Sequence, residues 1–430
     1  MNSQNTVYYD VLYEKKIFSD LTSKDINNYN NSIEKNARIR IYDGDSWYSF
    51  YYTNIDIHQV TDKLKTLTNM YLPKKTKNIS HYNDLIGYEN MHIDNYPLGD
   101  YNSIKPQNKI DLLNHLRDEK PFIEEFYYKD LYMEKTFFNN NVSRFYSFQN
   151  YGIGFKINSK KDSKSFYTQN YDSFLELSNN ISFIQNYYDE YTKFKNCSVK
   201  LIPGKYRVIL SPKVTGLLIH ECFGHVFEAD IRYDNDKGEC LCSNKSINIY
   251  DDGHINNLGY LPFDDDGILK KKTCIIRDGV IENYLTDIQT AINLNITPSG
   301  NGRCVKLNQK NIPRMTNIYL EPTSISKDTL FENFTGIYII SAETGEIDEE
   351  NNFKIYPIIC RQIINGVPKN YLKISQIKME LNNLFNSIEL IGNDLDFSST
   401  LFGGCGKNDQ YPLLVSQGGP HILINNFECK

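Results

Sequence analysis

Alternation of apolar and polar residues marks the first clearly readable element of this chain. Arg38-Ile39-Arg40-Ile41-Tyr42 has a period of two, and a turn at Asp43-Gly44-Asp45 leads into the aromatic run at residues 47–52. A period of two places alternate side chains on opposite faces of a strand, and Asp-Gly between two such runs is a hairpin signal. The pattern therefore predicts a β-hairpin over residues 38–52.

Three stretches of the first half carry apolar residues at intervals of three or four, which is helical spacing. They are residues 57–71, 106–120 and 171–194. The second begins with Pro106, which a helix tolerates in its first turn. Strands and helices mixed in this way predict antiparallel strands packed under helices.

The pattern changes past about residue 200. One compact helical stretch, residues 214–229, is followed by two-residue turn signals flanked by β-branched or aromatic residues. They are Asp252-Gly253, Asp266-Gly267, Asp278-Gly279, Thr344-Gly345 and Asn365-Gly366. Frequent turn signals between such residues are typical of antiparallel hairpins. We therefore predict an α+β fold with an N-terminal α/β portion, residues 1–198, and a mainly antiparallel β domain, residues 199–430, that carries one helix.

Composition narrows the class of protein. With 430 residues, 40% hydrophobic and 23% charged, the chain has the balance of an ordinary globular protein that is long enough for two domains. A formal charge of −6 and the lack of a dense Lys/Arg block argue against a nucleic-acid partner. Lys270-Lys271-Lys272 follows closely behind Asp264-Asp265-Asp266, and we interpret these charges as one solvated turn.

The start of the chain lacks the basic and apolar regions of a signal peptide, and no run approaches the ~18 apolar residues of a membrane span. We expect a cytoplasmic protein with no membrane partner. Nine cysteines, an odd number at irregular spacing, argue against a disulfide framework, and we predict that most of them are buried thiols. Cys240-Leu241-Cys242 is too tight for a usual zinc hairpin and has no second pair.

Candidate chemistry is concentrated at His220-Glu221-Cys222-Phe223-Gly224-His225, which an apolar run precedes. The familiar zinc-binding helix has its histidines four residues apart. Five apart rotates the second ring by about 140° in an ideal helix, so both can reach one metal only if the helix widens or ends near His225. Gly224 makes such a break cheap because glycine tolerates unusual backbone conformations, and π-type bulges occur at functional sites. The alternative is two unrelated histidines on a buried helix.

A catalytic zinc usually has three protein ligands and one open position. Cys405 is a candidate for the third ligand, because it lies in the glycine-rich run Phe402-Gly403-Gly404-Cys405-Gly406-Lys407, where backbone can approach a metal closely. For a single cysteine the alternative is an ordinary buried thiol.

Five ordered blocks carry a resemblance to a known family. They are residues 220–225 with Glu228 and Asp230, residues 297–303, residues 313–317, residues 391–395, and Cys405-Gly406-Lys407. In this order they resemble the TldD/PmbA family of metallopeptidases, on the TldD-like side that carries the zinc motif. The resemblance is strongest from about residue 200 onward.

The resemblance implies a site and a substrate class. It implies that His220, His225 and Cys405 hold one zinc per chain on the helix of the β domain, and that Glu221 acts as general base toward a zinc-activated water. It implies unfolded or leader-type peptides as substrates. It also implies a homodimer, or a heterodimer with a zinc-less relative.

Other residues leave alternatives open. Glu228 is either a hydrogen-bond partner of a liganding histidine or an exposed acid near a helix end. Arg303 is a candidate helping donor, and the turn at residues 297–303 either lines the cleft or is structural. Residues 313–317 are predicted to be scaffold. Residues 341–348 depart from the family's glycine-rich stretch, where an edge strand would capture peptide by β-addition.

Two other functions compete with a peptidase. The first is a catalytically weak, zinc-containing peptide-binding subunit of a hetero-oligomeric complex, although Glu221 is not needed in a purely structural site. The second is a hydrolase of esters or small amides. A long groove with an accessible strand edge favours peptides, whereas a closed pocket favours a small substrate.

Overall fold

The computed structural model describes residues 7–26, 29–71, 80–159, 162–167, 171–231 and 237–430. The elements of the first part of the chain are β1 (Tyr8–Thr22), β2 (Asn30–Tyr42), β3 (Trp47–Thr53), α1 (Ile57–Met70), α2 (Ser80–Ile86), β4 (Met91–Ile93), α3 (Leu98–Ser103), α4 (Pro106–Glu119), β5 (Glu125–Asn139), β6 (Ser143–Ser159), β7 (Asp162–Tyr167), α5 (Phe174–Asn179) and α6 (Phe183–Cys197).

The strands β1 to β7 form one sheet in the order β3-β2-β1-β5-β6-β4, with β7 paired to the other part of β6. The predicted hairpin is confirmed, because Tyr42 pairs with Trp47 across the turn. The predicted helices at residues 57–71 and 106–120 are confirmed as α1 and α4, and Pro106 occupies the first turn of α4.

The single helix predicted over residues 171–194 is wrong, since the structure divides it into α5 and α6. Asn180 ends α5, and its side-chain amide donates a hydrogen bond to the carbonyl of Glu176. Asparagine and serine compete for backbone groups in this way, which favours helix ends over helix interiors. Tyr187 of α6 is one of the residues that line a cleft formed with the second part of the chain.

The elements of the second part are β8 (Val199–Lys200), β9 (Gly204–Leu210), α7 (Pro212–Ile219), a π-helical turn (His220–Gly224), a 3₁₀ turn (His225–Phe227), β10 (Ile249–Asp251), β11 (Thr273–Arg277), β12 (Val280–Ile281), α8 (Ile288–Leu294), β13 (Gly302–Arg303), β14 (Ile312–Pro313), β15 (Asn317–Leu320), α9 (Lys327–Phe331), β16 (Gly336–Ile347), β17 (Asn352–Ile364), β18 (Val367–Lys373), β19 (Ile377–Glu380), α10 (Leu381–Ser387), β20 (Ile388–Ile391), β21 (Asp396–Ser398), β22 (Cys405–Lys407), β23 (Gln410–Leu413), β24 (Ser416–Gly419) and β25 (Ile422–Cys429).

Five of these strands close on themselves in the order β16-β9-β25-β19-β17, because β17 pairs again with β16. A second sheet runs β12-β11-β10-β15-β24-β21, and α7 packs on β24 and β16. The α+β fold with a mostly β second part is therefore confirmed. The prediction of a single helix there missed the short helices α8, α9 and α10.

The solvated turn predicted at residues 264–272 is wrong for its aspartates and for Lys270, and only Lys271 and Lys272 are exposed. Asp264, Asp265 and Asp266 are all buried, and so is Lys270. The turn packs against the first sheet, where Lys135 of β5 lies 2.6 Å from Asp265. Because buried carboxylates need partners, these contacts fasten the two parts of the chain together. The division at residues 198/199 stays a prediction.

No helix in the described ranges has both the length and the apolar composition that a membrane crossing requires.

Candidate metal centre and cleft

The helix α7 begins in a regular way and ends in an unusual one. Its start is capped by Ser211, whose hydroxyl accepts a hydrogen bond from the backbone N–H of Val214, and Pro212 follows at the first helical position. Its end widens into the π-helical turn, in which the N–H of His225 donates to the carbonyl of His220. This hydrogen bond spans five residues instead of four.

The widened turn brings the two histidines together. Their ring centroids lie 5.0 Å apart, so the predicted local widening near Gly224 is confirmed. The predicted need for an unusual backbone conformation at Gly224 is wrong, since Gly224 has an ordinary right-handed backbone with φ −66°. A β-carbon there would lie only 1.8 Å from Sδ of Met315. Close packing, rather than conformational freedom, requires glycine at this position.

Cys405 reaches the histidines from far along the chain. It begins the short strand β22, and its carbonyl accepts a hydrogen bond of 2.8 Å from the guanidinium of Arg314. Its Sγ lies 3.2 Å from Nε2 of His225. The ligand atoms of His220, His225 and Cys405 all lie within 4.8 Å of one another. The tertiary structure thus brings the three predicted ligands together.

This set of donors fits a metal such as zinc, which binds imidazole nitrogen and thiolate sulfur. Nδ1 of His220 is buried and has no hydrogen-bond partner among the described residues, so that ring retains an unused donor or acceptor. Burial raises the pKa of the Cys405 thiol, but the neighbouring His220 and His225 outweigh burial and lower the pKa to about 5. A thiolate is the form of cysteine that binds metals.

A buried ionic network holds His225. The carboxylate of Glu228 is fully buried and lies 3.0 Å from Nδ1 of His225, which leaves Nε2 directed toward Cys405. Lys407 lies 3.0 Å from the same carboxylate and 2.5 Å from Asp230. Of the two alternatives for Glu228, the exposed acid is therefore wrong. The sequence motif contained Lys407 but gave no sign that its ammonium would be buried beneath the site.

Outer partners of this kind fix the orientation and tautomer of a liganding histidine. We therefore expect Glu228→Gln to weaken zinc binding by about 10–100-fold, measured by competition with a chromophoric chelator. Asp230→Asn is the matched control, because Asp230 contacts Lys407 but not the histidine. A folded Glu228→Gln protein with unchanged zinc affinity would show that this hydrogen bond does not orient His225.

Glu221 lies beside the three candidate ligands and faces a cleft. Burial raises the pKa of its carboxyl group above the usual range, although His220 and His225 act in the opposite direction. A β-carbon at Gly345 of β16 would lie 3.3 Å from Leu217 and 3.5 Å from Cγ of Glu221. Glycine at this point therefore lets the strand approach the widened helix turn closely.

The cleft has a volume of about 620 Å³ and is formed by both parts of the chain. One wall is the face of α7 that continues into His220 and Glu221, and a second is the stretch of β16 at residues 341–344. Residues 164–166 of β7 and Tyr187 of α6 contribute from the first part of the chain. No local sequence pattern predicts these two contributions, because they depend on how the first sheet packs against the second part of the chain.

Arg303 and its turn lie elsewhere. The Arg303 guanidinium donates to the backbone carbonyls of Met315 and Leu414, and Asn301 donates to buried Asp251. Neither residue is among those that line the cleft. The structural alternative for residues 297–303 is therefore the correct one, and Arg314, which holds the Cys405 carbonyl, confirms residues 313–317 as scaffold.

Comparison with known proteins identifies the family of this chain. A family model described as the PmbA/TldA metallopeptidase C-terminal domain matches residues 203–430. The chain belongs to the TldD/PmbA family. Among its relatives are a zinc metalloprotease TldD homologue of Saccharolobus solfataricus and a metalloprotease of Methanocaldococcus jannaschii, each 31% identical. The alignments cover 52% and 54% of this chain and 51% and 54% of those relatives, so about half of each protein is compared.

Solved structures extend the likeness over the whole fold. The crystal structure of TldE from Thermococcus kodakarensis has a TM-score of 0.74 at 12% identity and covers 99% of this chain and 96% of that one. At this level of identity the likeness to that structure shows the fold alone. It includes the first part of the chain, which the family model does not match.

Proposed function

We propose that this chain is a zinc-dependent peptidase that hydrolyses unfolded or leader-type peptides. The observation that carries the proposal is the meeting of His220, His225 and Cys405 beside Glu221, in a cleft that a strand edge borders. Relatives named metalloprotease and zinc metalloprotease support the same class of activity.

Each group has a distinct part in this proposal. His220, His225 and Cys405 hold one zinc, with the carboxylate of Glu228 keeping the His225 imidazole in place. Zinc, when bound, supplies Lewis acidity that lowers the pKa of water toward ~7 and polarises a carbonyl. Glu221 takes the proton of the attacking water and passes it to the leaving amine. Because Glu221 lines the cleft, its carboxylate can reach both the attacking water and the leaving amine.

The shape of the cleft supports an extended peptide as substrate. On one side, β16 pairs with β17 as far as Ile347, whereas its pairing with β9 on the other side ends at Ile339. No other described strand pairs with the remaining edge of β16, and residues 341–344 of that stretch line the cleft. A free strand edge binds an extended peptide through main-chain hydrogen bonds, which a small ester would not need.

The proposal is tested with the full chain, zinc measurement and an unfolded substrate. A reduced and alkylated polypeptide that cannot fold is incubated with the metal-stripped protein and increasing zinc, and fragments are identified by mass spectrometry. We expect cleavage to saturate at about one zinc per chain, as a three-ligand catalytic site requires. Absence of stoichiometric zinc would overturn the central claim. Bound zinc without cleavage, alone or with a zinc-less relative, would favour the peptide-binding subunit.

A further inference from the structure

One lysine of the cleft, Lys213, is not held in an ion pair by any residue in the described ranges. Lys213 lies in the first turn of α7 and is exposed to the cleft. Within the described ranges it makes no ion pair or hydrogen bond. Desolvation by the surrounding cleft walls lowers the pKa of its ammonium, and the charge of Asp396 acts in the opposite direction. The other cleft lysine, Lys164, is already paired with Glu343 at 2.6 Å. A partly desolvated ammonium without a partner is an available site for an anion.

Lys213 stands on the same helix face as the metal centre. Leu217, His220 and Glu221 follow it by four, seven and eight residues, and all of them line the cleft. With a rise of 1.5 Å per residue, seven residues separate Lys213 from His220 by about 10 Å along the axis. The ammonium is therefore too far along the helix to belong to the metal centre, but it opens into the same cleft.

The strand edge runs beside this helix face. At the start of α7, the Ser211 hydroxyl donates to the carbonyl of Ile340, and the Ser211 N–H donates to the carbonyl of Ile339. At the other end, Gly345 packs close to Glu221. A peptide added along β16 would thus pass both Lys213 and the metal centre. Because an extended chain advances about 3.3 Å per residue, the peptide residue beside Lys213 would lie about three residues from the residue beside the metal centre.

We infer that Lys213 selects substrates by binding a carboxylate that lies about three residues from the scissile bond. This inference rests on the proposed peptidase function and adds a specificity to it. The carboxylate is either an Asp or Glu side chain or the C-terminus of the peptide. A lysine is suited to both because its ammonium acts as a point charge and does not demand one bidentate geometry.

The inference is tested by binding as well as by cleavage. Short unstructured fluorescent peptides carry a single Glu, Gln or Lys at each position on either side of the cleaved bond. Their affinity for zinc-loaded Glu221→Gln protein is measured by fluorescence anisotropy, so that binding is observed without hydrolysis. We expect the Glu peptide to bind about tenfold more tightly than the Gln peptide at one position, as a charge-assisted contact requires, and the preference to weaken with salt.

Variants of Lys213 identify the cation. Lys213→Met is expected to abolish the preference, and Lys213→Glu to transfer it to the Lys peptide. Lys63→Met removes an exposed lysine of α1 and is the matched control for net charge, so it should leave the preference unchanged. Peptides truncated at the selected position, as free acid and as amide, distinguish a C-terminal carboxylate from a side chain.

The outcomes separate the two proposals. If peptides bind and are cleaved with the same charge preference in the Lys213 variants, the inference is overturned and the peptidase stands. If the Lys213-dependent preference is present but native protein cleaves nothing, Lys213 binds a peptide carboxylate as inferred, whereas its role in selecting substrates for cleavage and the peptidase both fail. If no peptide binds at all, both fail.

Discussion

Replacing Glu221 by glutamine is expected to lower kcat for peptide hydrolysis by about 10²–10⁴-fold while zinc stays bound. The carboxylate lies next to His220 in the sequence and faces the cleft, but it is not one of the three clustered ligand candidates. Glutamine keeps the shape of the side chain and removes its capacity to accept a proton. The change should therefore act on the chemical step, and KM should stay within a few-fold of the native value.

Steady-state kinetics and zinc analysis of the same sample check this expectation. Glu343→Gln is the matched control, since Glu343 also lines the cleft but is paired with Lys164. That variant should retain most of its kcat. If Glu221→Gln loses its zinc, the carboxylate is a ligand rather than a base. If it keeps both zinc and activity, Glu221 has no part in the reaction.

Replacing Cys405 by alanine is expected to weaken zinc binding by more than the ~100-fold at the upper end of the range for outer partners. The thiol is one of three donors within 4.8 Å, and its loss leaves two histidines, one fewer ligand than a catalytic zinc site normally has. Chelator competition measures the affinity. In cobalt-substituted protein, the thiolate-to-metal charge-transfer absorption should disappear with the sulfur.

Cys222→Ala is the matched control for loss of a thiol. Cys222 lies in the π-helical turn that begins with His220, but its side chain belongs to the apolar core. Burial there raises the pKa of its thiol well above the usual range. That variant should keep zinc and the cobalt absorption. A Cys405→Ala protein that is folded and binds zinc as tightly as the native chain would remove Cys405 from the site.

Local signals predicted part of the first sheet with two of its helices, and the irregular turn that carries the two histidines. The hairpin β2–β3 and the helices α1 and α4 follow from periodicity and from Pro106, because side-chain direction in a strand or helix repeats at a fixed interval. The five-residue spacing of His220 and His225 likewise predicts a widened turn, since no regular α-helix would bring both rings to one side.

The sequence-based predictions that the structure contradicts mainly concern charged side chains that are buried. Asp264, Asp265 and Asp266 have the composition of a solvated turn, yet partners such as Lys135 and Arg40, more than a hundred residues away in sequence, neutralise them. For the same reason the sequence does not decide whether Glu228 is exposed or contacts a histidine, and it does not predict the buried ion pair between Lys407 and Glu228. Whether a charge is solvated depends on what packs over it, which no local pattern contains.

The sequence by itself determined the candidate donors, the irregular turn that presents two of them, and, through the family resemblance, the third donor Cys405. Only the tertiary structure decided that Cys405 lies 3.2 Å from His225, that the orphaned ring nitrogen of His220 is buried, and that Lys213 faces the same cleft without an ion pair to any described residue. The physical reason is one of range. Spacing fixes side-chain direction over a turn or two of helix, whereas metal geometry, burial and charge pairing depend on segments that meet only when the chain folds.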